Sequence, residues 1–118
     1  MTAPATEPDC LFCRILAGEL PADVLHADDT TVAFRDISPE APTHFLVVPR
    51  SHYANAAELA EHEPASAAAL LVTADRVAKA EGVDSYRLVF NTGAEANQTV
   101  FHAHLHVLGG RSMTWPPG

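Results

Sequence analysis

Basic residues are scarce in this chain, with seven Lys and Arg against 15 Asp and Glu and a formal net charge of −8. So acidic a surface repels nucleic-acid backbones and anionic membranes, which excludes polyanion binding through a general electrostatic field. An anionic ligand must instead be held by a local site built from donors of little fixed charge, such as backbone N–H groups and imidazoles. Apolar runs are short, and none approaches the roughly 18 residues that would span a bilayer. The first residues, Met1-Thr-Ala-Pro-Ala-Thr-Glu-Pro8, have neither the basic stretch nor the apolar core of an export signal, so the expected compartment is the cytoplasm. Cysteine is limited to Cys10 and Cys13 in a single C-x-x-C. Without an export signal, such a pair points to metal binding or redox chemistry rather than to a structural disulfide. Repeats are absent, and 118 residues hold one domain rather than a catalytic domain plus a separate binding domain.

Histidine is what the chain has in quantity, with seven in 118 residues. Three of them fall within Phe101-His-Ala-His-Leu-His-Val-Leu-Gly-Gly-Arg111. As a β-strand this stretch alternates faces, so that His102, His104 and His106 project to one side and Ala103, Leu105 and Val107 to the other. Alternate histidines then stand about 6.6 Å apart, and each can serve a different group along one phosphate-sized ligand. A helix would scatter the three around its cylinder.

The remaining pattern predicts a single α+β domain over residues 9–118, preceded by a flexible leader over 1–8. Leu11, Phe12, Ile15 and Leu16 form an apolar stripe at helical spacing, which predicts a short helix from Cys10 to Gly18 with Asp9 as N-cap. Strands are predicted over 24–27 and 31–35 around the turn Asp28-Asp29-Thr30, and over 44–49, 86–91 and 100–108. His44-Phe-Leu-Val-Val-Pro49 is almost continuously apolar, as a central strand covered on both faces requires. The loop from Asp36 to Thr43 follows a strand and forms a natural ligand rim. Asn55 to Leu59 reads as a helical turn. The one long helix runs from Pro64 to Glu81 through Ala68, Leu71, Val72, Val77 and Ala78, with Gly82 as terminator. Pairing among 44–49, 86–91 and 103–108 completes an antiparallel sheet of about five strands.

Three histidines on one strand face admit three readings. An exposed face that merely tolerates them fits poorly with the apolar opposite face and the following Gly109-Gly110-Arg111. A three-imidazole catalytic zinc would need the strand to curl, because neighbouring ligands on one strand make two-point contacts. Nucleophilic attack on phosphorus fits best, since imidazole has a well-populated free base near neutral pH and forms a phosphorus–nitrogen bond labile to water. His104, central on the face, is the candidate nucleophile, with His102 and His106 placed to hold phosphate oxygens or a second element. Cys10 and Cys13 form a zinc site if His52 and His102 complete the tetrahedron, and four protein ligands would make that zinc structural. Redox activity is the alternative, although no thioredoxin-like βαβ frame surrounds the pair. His26 and His62 read as solvated surface groups, and Trp115 as an aromatic that needs cover from a pocket rim or a partner.

His102-Ala-His104-Leu-His106-Val-Leu108 resembles the H-φ-H-φ-H-φ-φ signature of the histidine-triad (HIT) superfamily. The likeness extends to Asp36-Ile-Ser-Pro39, Pro42-Thr-His-Phe-Leu-Val-Val-Pro49, Asn91-Thr-Gly93, Gln98-Thr-Val100 and Leu108-Gly-Gly-Arg111, and the ending Trp115-Pro-Pro-Gly118 is similar to the Hint branch. The resemblance implies a homodimer whose sheets join edge to edge, and hydrolysis of purine nucleoside 5'-phosphoramidates through a nucleotidyl-histidine intermediate. It implies His104 as nucleophile, His44 and His106 beside the α-phosphate, and Asp36 on the ribose hydroxyls. It further implies Ile37, Phe12 and Ile15 in the base pocket, and Asn91, Asn97, Gln98 and Thr99 around the phosphate, with the Thr99 hydroxyl able to protonate the leaving amine. Asn97 stands where the family commonly has Gly, and Asn tolerates the left-handed backbone that such a loop needs. Many bacterial relatives resemble this chain in carrying zinc at the positions of Cys10, Cys13, His52 and His102. Two other functions use the same features: a nucleotide-binding regulatory module with little turnover, and a dinucleoside polyphosphate hydrolase or nucleotidyl transferase.

Overall fold

The computed structural model describes Glu7 and residues 9–118, so the leader expected over 1–8 lies outside the described residues apart from Glu7. In chain order the elements are α1 (Leu11–Leu16), β1 (Val24–Ala27), β2 (Thr31–Arg35), β3 (Thr43–Pro49), α2 (Ala56–His62), α3 (Pro64–Ala80), β4 (Tyr86–Val89) and β5 (Leu105–Gly109). The strands form one five-stranded antiparallel sheet in the order β1-β2-β3-β5-β4. β3 is central, as its apolar run predicts, and Phe45, Leu46, Val47 and Val48 are all buried.

Strand parity divides the interior. Ala33, Phe45, Val47, Leu105 and Val107 face α3 and pack with Leu70, Ala74, Val77 and Ala78 in the main core. Val32, Phe34, Leu46 and Val48 face the other way and pack with Cys10, Phe12 and Cys13. A sheet covered on both faces needs apolar residues at successive positions, which is why β3 shows no polar alternation. Among the described residues, no helix is long and apolar enough to cross a membrane.

Several local features differ from the sequence-based expectations. The strand expected over 100–108 is reduced to β5, because the preceding residues bond elsewhere: the Ala103 N–H donates to the Tyr53 carbonyl at 2.7 Å, and His102 Nε2 to the Pro49 carbonyl at 2.9 Å. The N-cap of α1 is Cys10 rather than Asp9, with Cys10 Sγ accepting from the Cys13 N–H at 3.2 Å. The turn expected at 55–59 is the seven-residue α2, capped by Asn55 Oδ1 on the Glu58 N–H. α3 buries Leu70, Thr73, Ala74, Val77 and Ala78, one stripe at helical spacing, and this turns Leu71 and Val72 outward. Neither His26 nor His62 is a simply solvated group. His26 Nε2 lies 2.7 Å from Asp28 Oδ2, while Asp28 Oδ1 accepts from the Thr30 and Thr31 N–H groups and so shapes the β1–β2 turn. His62 stacks on Tyr53 with ring centroids 5.3 Å apart.

Candidate active site and metal centre

On the α1 side of the sheet, Phe34 stands opposite Leu46, and Leu46 opposite His106. Directly opposed residues share a face, so an apolar floor runs across three strands up to an imidazole. The cleft built on that floor has a volume of about 970 Å³. α1 adds Phe12 and Ile15 to its lining, the end of β2 and the loop beyond add Asp36 and Ile37, and the loop after β4 adds Asn91, Asn97 and Thr99, beside His104 and His106. Ile37 is 98% exposed, an apolar side chain without protein cover at the cleft. Asn97 takes the left-handed backbone, with φ of 69°.

Two residues singled out from the sequence do not line this cleft. His44 is absent from the lining but reaches two residues in it, His106 and Asp36, through Nε2. Gln98 is consumed within its own loop, where Oε1 accepts from the Gly93 N–H at 2.9 Å and Nε2 donates to the Ala54 and Val100 carbonyls at 2.7 and 3.0 Å. Both amide hydrogens are used, so Gln98 braces the loop and offers no donor to a ligand. The sequence reading missed Leu11, Leu20, Pro21, Ala22, Asp23, Phe34, Arg35, Leu46 and Val100, all of which line the cleft. Register alone would identify Phe34 and Leu46. Residues 20–23 carry no such signal, because they reach the cleft only where α1 leads them.

Hydrogen-bond partners assign the proton on each buried imidazole. His104 Nδ1 lies 2.8 Å from the His102 carbonyl, which only accepts, so Nδ1 carries the proton and Nε2 keeps a lone pair. Burial lowers the His104 pKa, opposed by the bond to His102 and by the charge of Asp36. The Glu40 N–H donates to His44 Nδ1 at 3.0 Å, which puts the His44 proton on Nε2. That nitrogen lies 2.9 Å from His106 Nδ1 and 3.4 Å from Asp36 Oδ2. His106 Nδ1 therefore accepts, and the His106 proton sits on Nε2. Burial, reinforced by His104 and His44, pushes His106 down to about 4. The His104 and His106 ring centroids are 5.0 Å apart, less than the roughly 6.6 Å of two residues of strand rise, and His104 lies ahead of the β5 ladder. A neutral nitrogen lone pair beside an N–H donor suits attack on a phosphoryl group, one atom to bond phosphorus and one proton to hold its oxygen.

Among the described residues, two clusters have the composition of a metal site, and proton placement separates them. In the first, Cys10 Sγ, Cys13 Sγ, His52 Nδ1 and His102 Nδ1 lie within 4.8 Å of one another. His102 Nε2–H donates to the Pro49 carbonyl, leaving Nδ1 as a lone pair toward the sulfurs, the outer hydrogen bond that orients ligating imidazoles. Sulfur–nitrogen distances are 3.6, 3.3 and 3.5 Å and the nitrogen–nitrogen distance is 3.1 Å. These are close to the edges of a tetrahedron with Zn–S bonds of about 2.3 Å and Zn–N bonds of about 2.0 Å. Burial pushes the Cys13 thiol up to about 11, so a Cys13 thiolate here requires a compensating cation. The donor set fits zinc. In the second cluster, Asp36, His44 and His106, the Glu40 N–H forces a proton onto the very nitrogen of His44 that would have to ligate. That cluster is a hydrogen-bond relay.

Purified protein is expected to hold about one zinc per chain and Cys13→Ser less than about one-tenth, measured by metal analysis; equal zinc in both would remove the thiols from the site. A second expectation concerns pH. Folded His106 takes its proton near 4 rather than near 6.5, so between those values unfolding takes up a proton and stability falls as the pH drops. The urea midpoint should decline across this window in the wild type, with a flatter slope in His106→Gln; the same slope in both would contradict a buried neutral His106.

A HIT domain profile matches residues 17–113. An uncharacterized HIT-like protein of Synechococcus elongatus is 46% identical over 111 residues, covering 93% of this chain and 97% of its own length. A HIT family hydrolase from Clostridium thermocellum superposes with a TM-score of 0.89 at 40% identity, covering 92% of this chain and 96% of that one. A HIT family hydrolase from Legionella pneumophila has the same TM-score of 0.89 at 48% identity, covering 93% of this chain and all of that one. By sequence and by its five-stranded antiparallel α+β architecture, this chain belongs to the HIT domain family.

Proposed function

We propose that this chain is a hydrolase of purine nucleoside 5'-phosphoramidates, of the Hint branch, acting by covalent catalysis at His104. The observation that carries the reading is the 2.8 Å bond from His104 Nδ1–H to the His102 carbonyl, which leaves an unprotonated Nε2 on a ring that lines the cleft. Phe12, Ile15 and the uncovered Ile37 offer apolar contact to a purine, and the Asp36 carboxylate can accept the ribose hydroxyls. Asn91, Asn97 and Thr99 add polar groups to the cleft for the phosphate.

In the first step the His104 Nε2 lone pair bonds to phosphorus while the phosphorus–nitrogen bond to the amine breaks. The Thr99 hydroxyl relays a proton from solvent to the departing nitrogen, keeping its own hydroxyl protonated, and His106 Nε2–H holds a non-bridging oxygen. In the second step the oxygen of a water bonds to phosphorus as the bond to His104 breaks. One water proton passes through the Thr99 hydroxyl to solvent, and the nucleoside monophosphate leaves. Cys10, Cys13, His52 and His102 would hold a zinc ion with four protein ligands, where it would serve structure rather than either step.

A second copy of the chain completes this reading. β4 is an edge of the sheet; Leu88 and Phe90 at that edge and Leu71 and Val72 on α3 are exposed. Trp115 is 81% exposed, with the Arg87 guanidinium 6.0 Å from its ring centroid. An apolar edge strand is a pairing site, and a homodimer joined along β4 would cover it. Cytoplasmic purine nucleotides are the proposed ligand pool, and neither nucleic acid nor a membrane is a partner of so acidic a chain.

His104→Asn is expected to lose turnover of adenosine 5'-phosphoramidate by about a thousandfold or more while AMP affinity changes little. A quenched wild-type reaction should show an AMP adduct on the peptide containing His104. Undiminished turnover in the variant, or no adduct in a protein that binds AMP, would make the chain a nucleotide-holding module instead. Light scattering should give a mass twice 12.6 kDa. A monomeric mass would remove the edge-to-edge dimer.

A further inference from the structure

α1 has six residues, too few to persist as a helix in water on its own hydrogen bonds. Its placement must come from tertiary contacts. Apolar packing supplies part of it: Phe12 and Cys13 are buried in the smaller core cluster, Ile15 and Leu16 pack against that cluster, and Phe12 meets Phe34 edge-on at 5.6 Å. Among the described residues, the polar contacts that tie α1 and its cap to the sheet side all run through the two thiols, Cys10 Sγ to His102 Nδ1 and Cys13 Sγ to His52 and His102 Nδ1. Cys10 Sγ is also the N-cap. The remaining backbone bonds of this segment stay local, between Glu7 and Glu19.

The same helix forms part of the cleft. Leu11, Phe12 and Ile15 line it, and the chain leaving α1 adds Leu20, Pro21 and Ala22. Phe12 sits in sequence between the two cysteines, and its ring meets His104 edge-on at 4.9 Å and His102 at 6.1 Å. Asp36 and Asn91 stand on loops that carry none of the four ligands. A cation that gathers both sulfurs onto His52 and His102 thus acts first on the apolar wall of the cleft, and on its polar lining only through His104, whose Nδ1 is bonded to the His102 carbonyl.

We infer that the metal centre is a latch on α1: metal held by Cys10, Cys13, His52 and His102 sets the affinity of the cleft for the base of a nucleotide, and acts far less on its affinity for the sugar phosphate. The inference rests on the nucleotide reading above. Coupling between two ligands is reciprocal, so a base that binds better to the latched wall must tighten metal binding by the same factor.

The test measures zinc affinity of the full chain by competition with a chromophoric chelator, alone, with saturating AMP and with saturating ribose 5-phosphate. AMP is expected to tighten zinc by about 5- to 150-fold, and ribose 5-phosphate by less than about twofold. Amide exchange across residues 11–17 should slow on adding zinc. Phe12→Leu, which keeps all four ligands, should shrink the AMP effect. Equal zinc affinity with and without AMP, in a protein that calorimetry shows to bind AMP, overturns the latch alone. Equal tightening by AMP and ribose 5-phosphate, or an undiminished AMP effect in Phe12→Leu, also overturns it. Zinc-loaded protein that does not bind AMP overturns the nucleotide reading and the latch with it.

Discussion

The hydrogen bond from His102 Nε2–H to the Pro49 carbonyl constrains the rest of the site. It joins the end of β3 to the segment entering β5 and locks a fully buried ring, whose polar atoms could not be left unpaired without a cost of about 1–3 kcal/mol each. With Nε2 committed, Nδ1 has to face the thiols. The carbonyl of the same residue accepts from His104 Nδ1, so the backbone of a candidate metal ligand decides which nitrogen of the neighbouring imidazole is free. Candidate metal ligand His102 and candidate nucleophile His104 are therefore adjacent parts of one segment, anchored again by the Ala103 N–H on Tyr53.

Much of this was legible in the sequence because it rests on parity. The alternation of His102, His104 and His106 against Ala103, Leu105 and Val107 holds even where the ladder does not: Ala103 is buried in the α3-side core, while His102 and His104 pack against Phe12 on the other side. The apolar run of β3 announced a central strand for the same kind of reason. What the sequence did not disclose depends on where distant backbone groups lie. Gln98 is a plausible ligand donor by type, and only the nearby Ala54 carbonyl and Gly93 N–H show that its amide is used up. Residues 100–104 have strand-like composition and are drawn from the ladder by Tyr53 and Pro49, some fifty positions earlier. Leu71 and Val72 are apolar and helical, yet the stripe on α3 is set by Leu70, Ala74 and Val77.

Composition alone could not separate the two histidine clusters, whose difference is one neighbouring backbone group. A carbonyl beside an imidazole puts the proton on the near nitrogen and frees the far one for a metal, as Pro49 does for His102. An N–H beside an imidazole does the reverse, and Glu40 gives His44 the proton that makes it a donor to His106. One cluster can hold a cation with its lone pairs; the other passes a hydrogen bond toward the cleft.

That second assignment depends on holding Glu40 in place, which gives a physical role to the stretch after β5. Arg111 Nη2 donates to the Glu40 carbonyl at 3.4 Å. Gly110, with φ of +85°, brings its backbone so near Pro42 that an added Cβ would stand 3.0 Å from the Pro42 Cβ, and a side chain there would also be strained. The glycine thus permits the close approach, and the arginine fastens the loop from its carbonyl side while the amide of the same residue points at His44. Leu108-Gly-Gly-Arg111 and the Asp36–Thr43 loop are distant in sequence but work as one unit, from Arg111 through Glu40 and His44 to the proton that His106 presents.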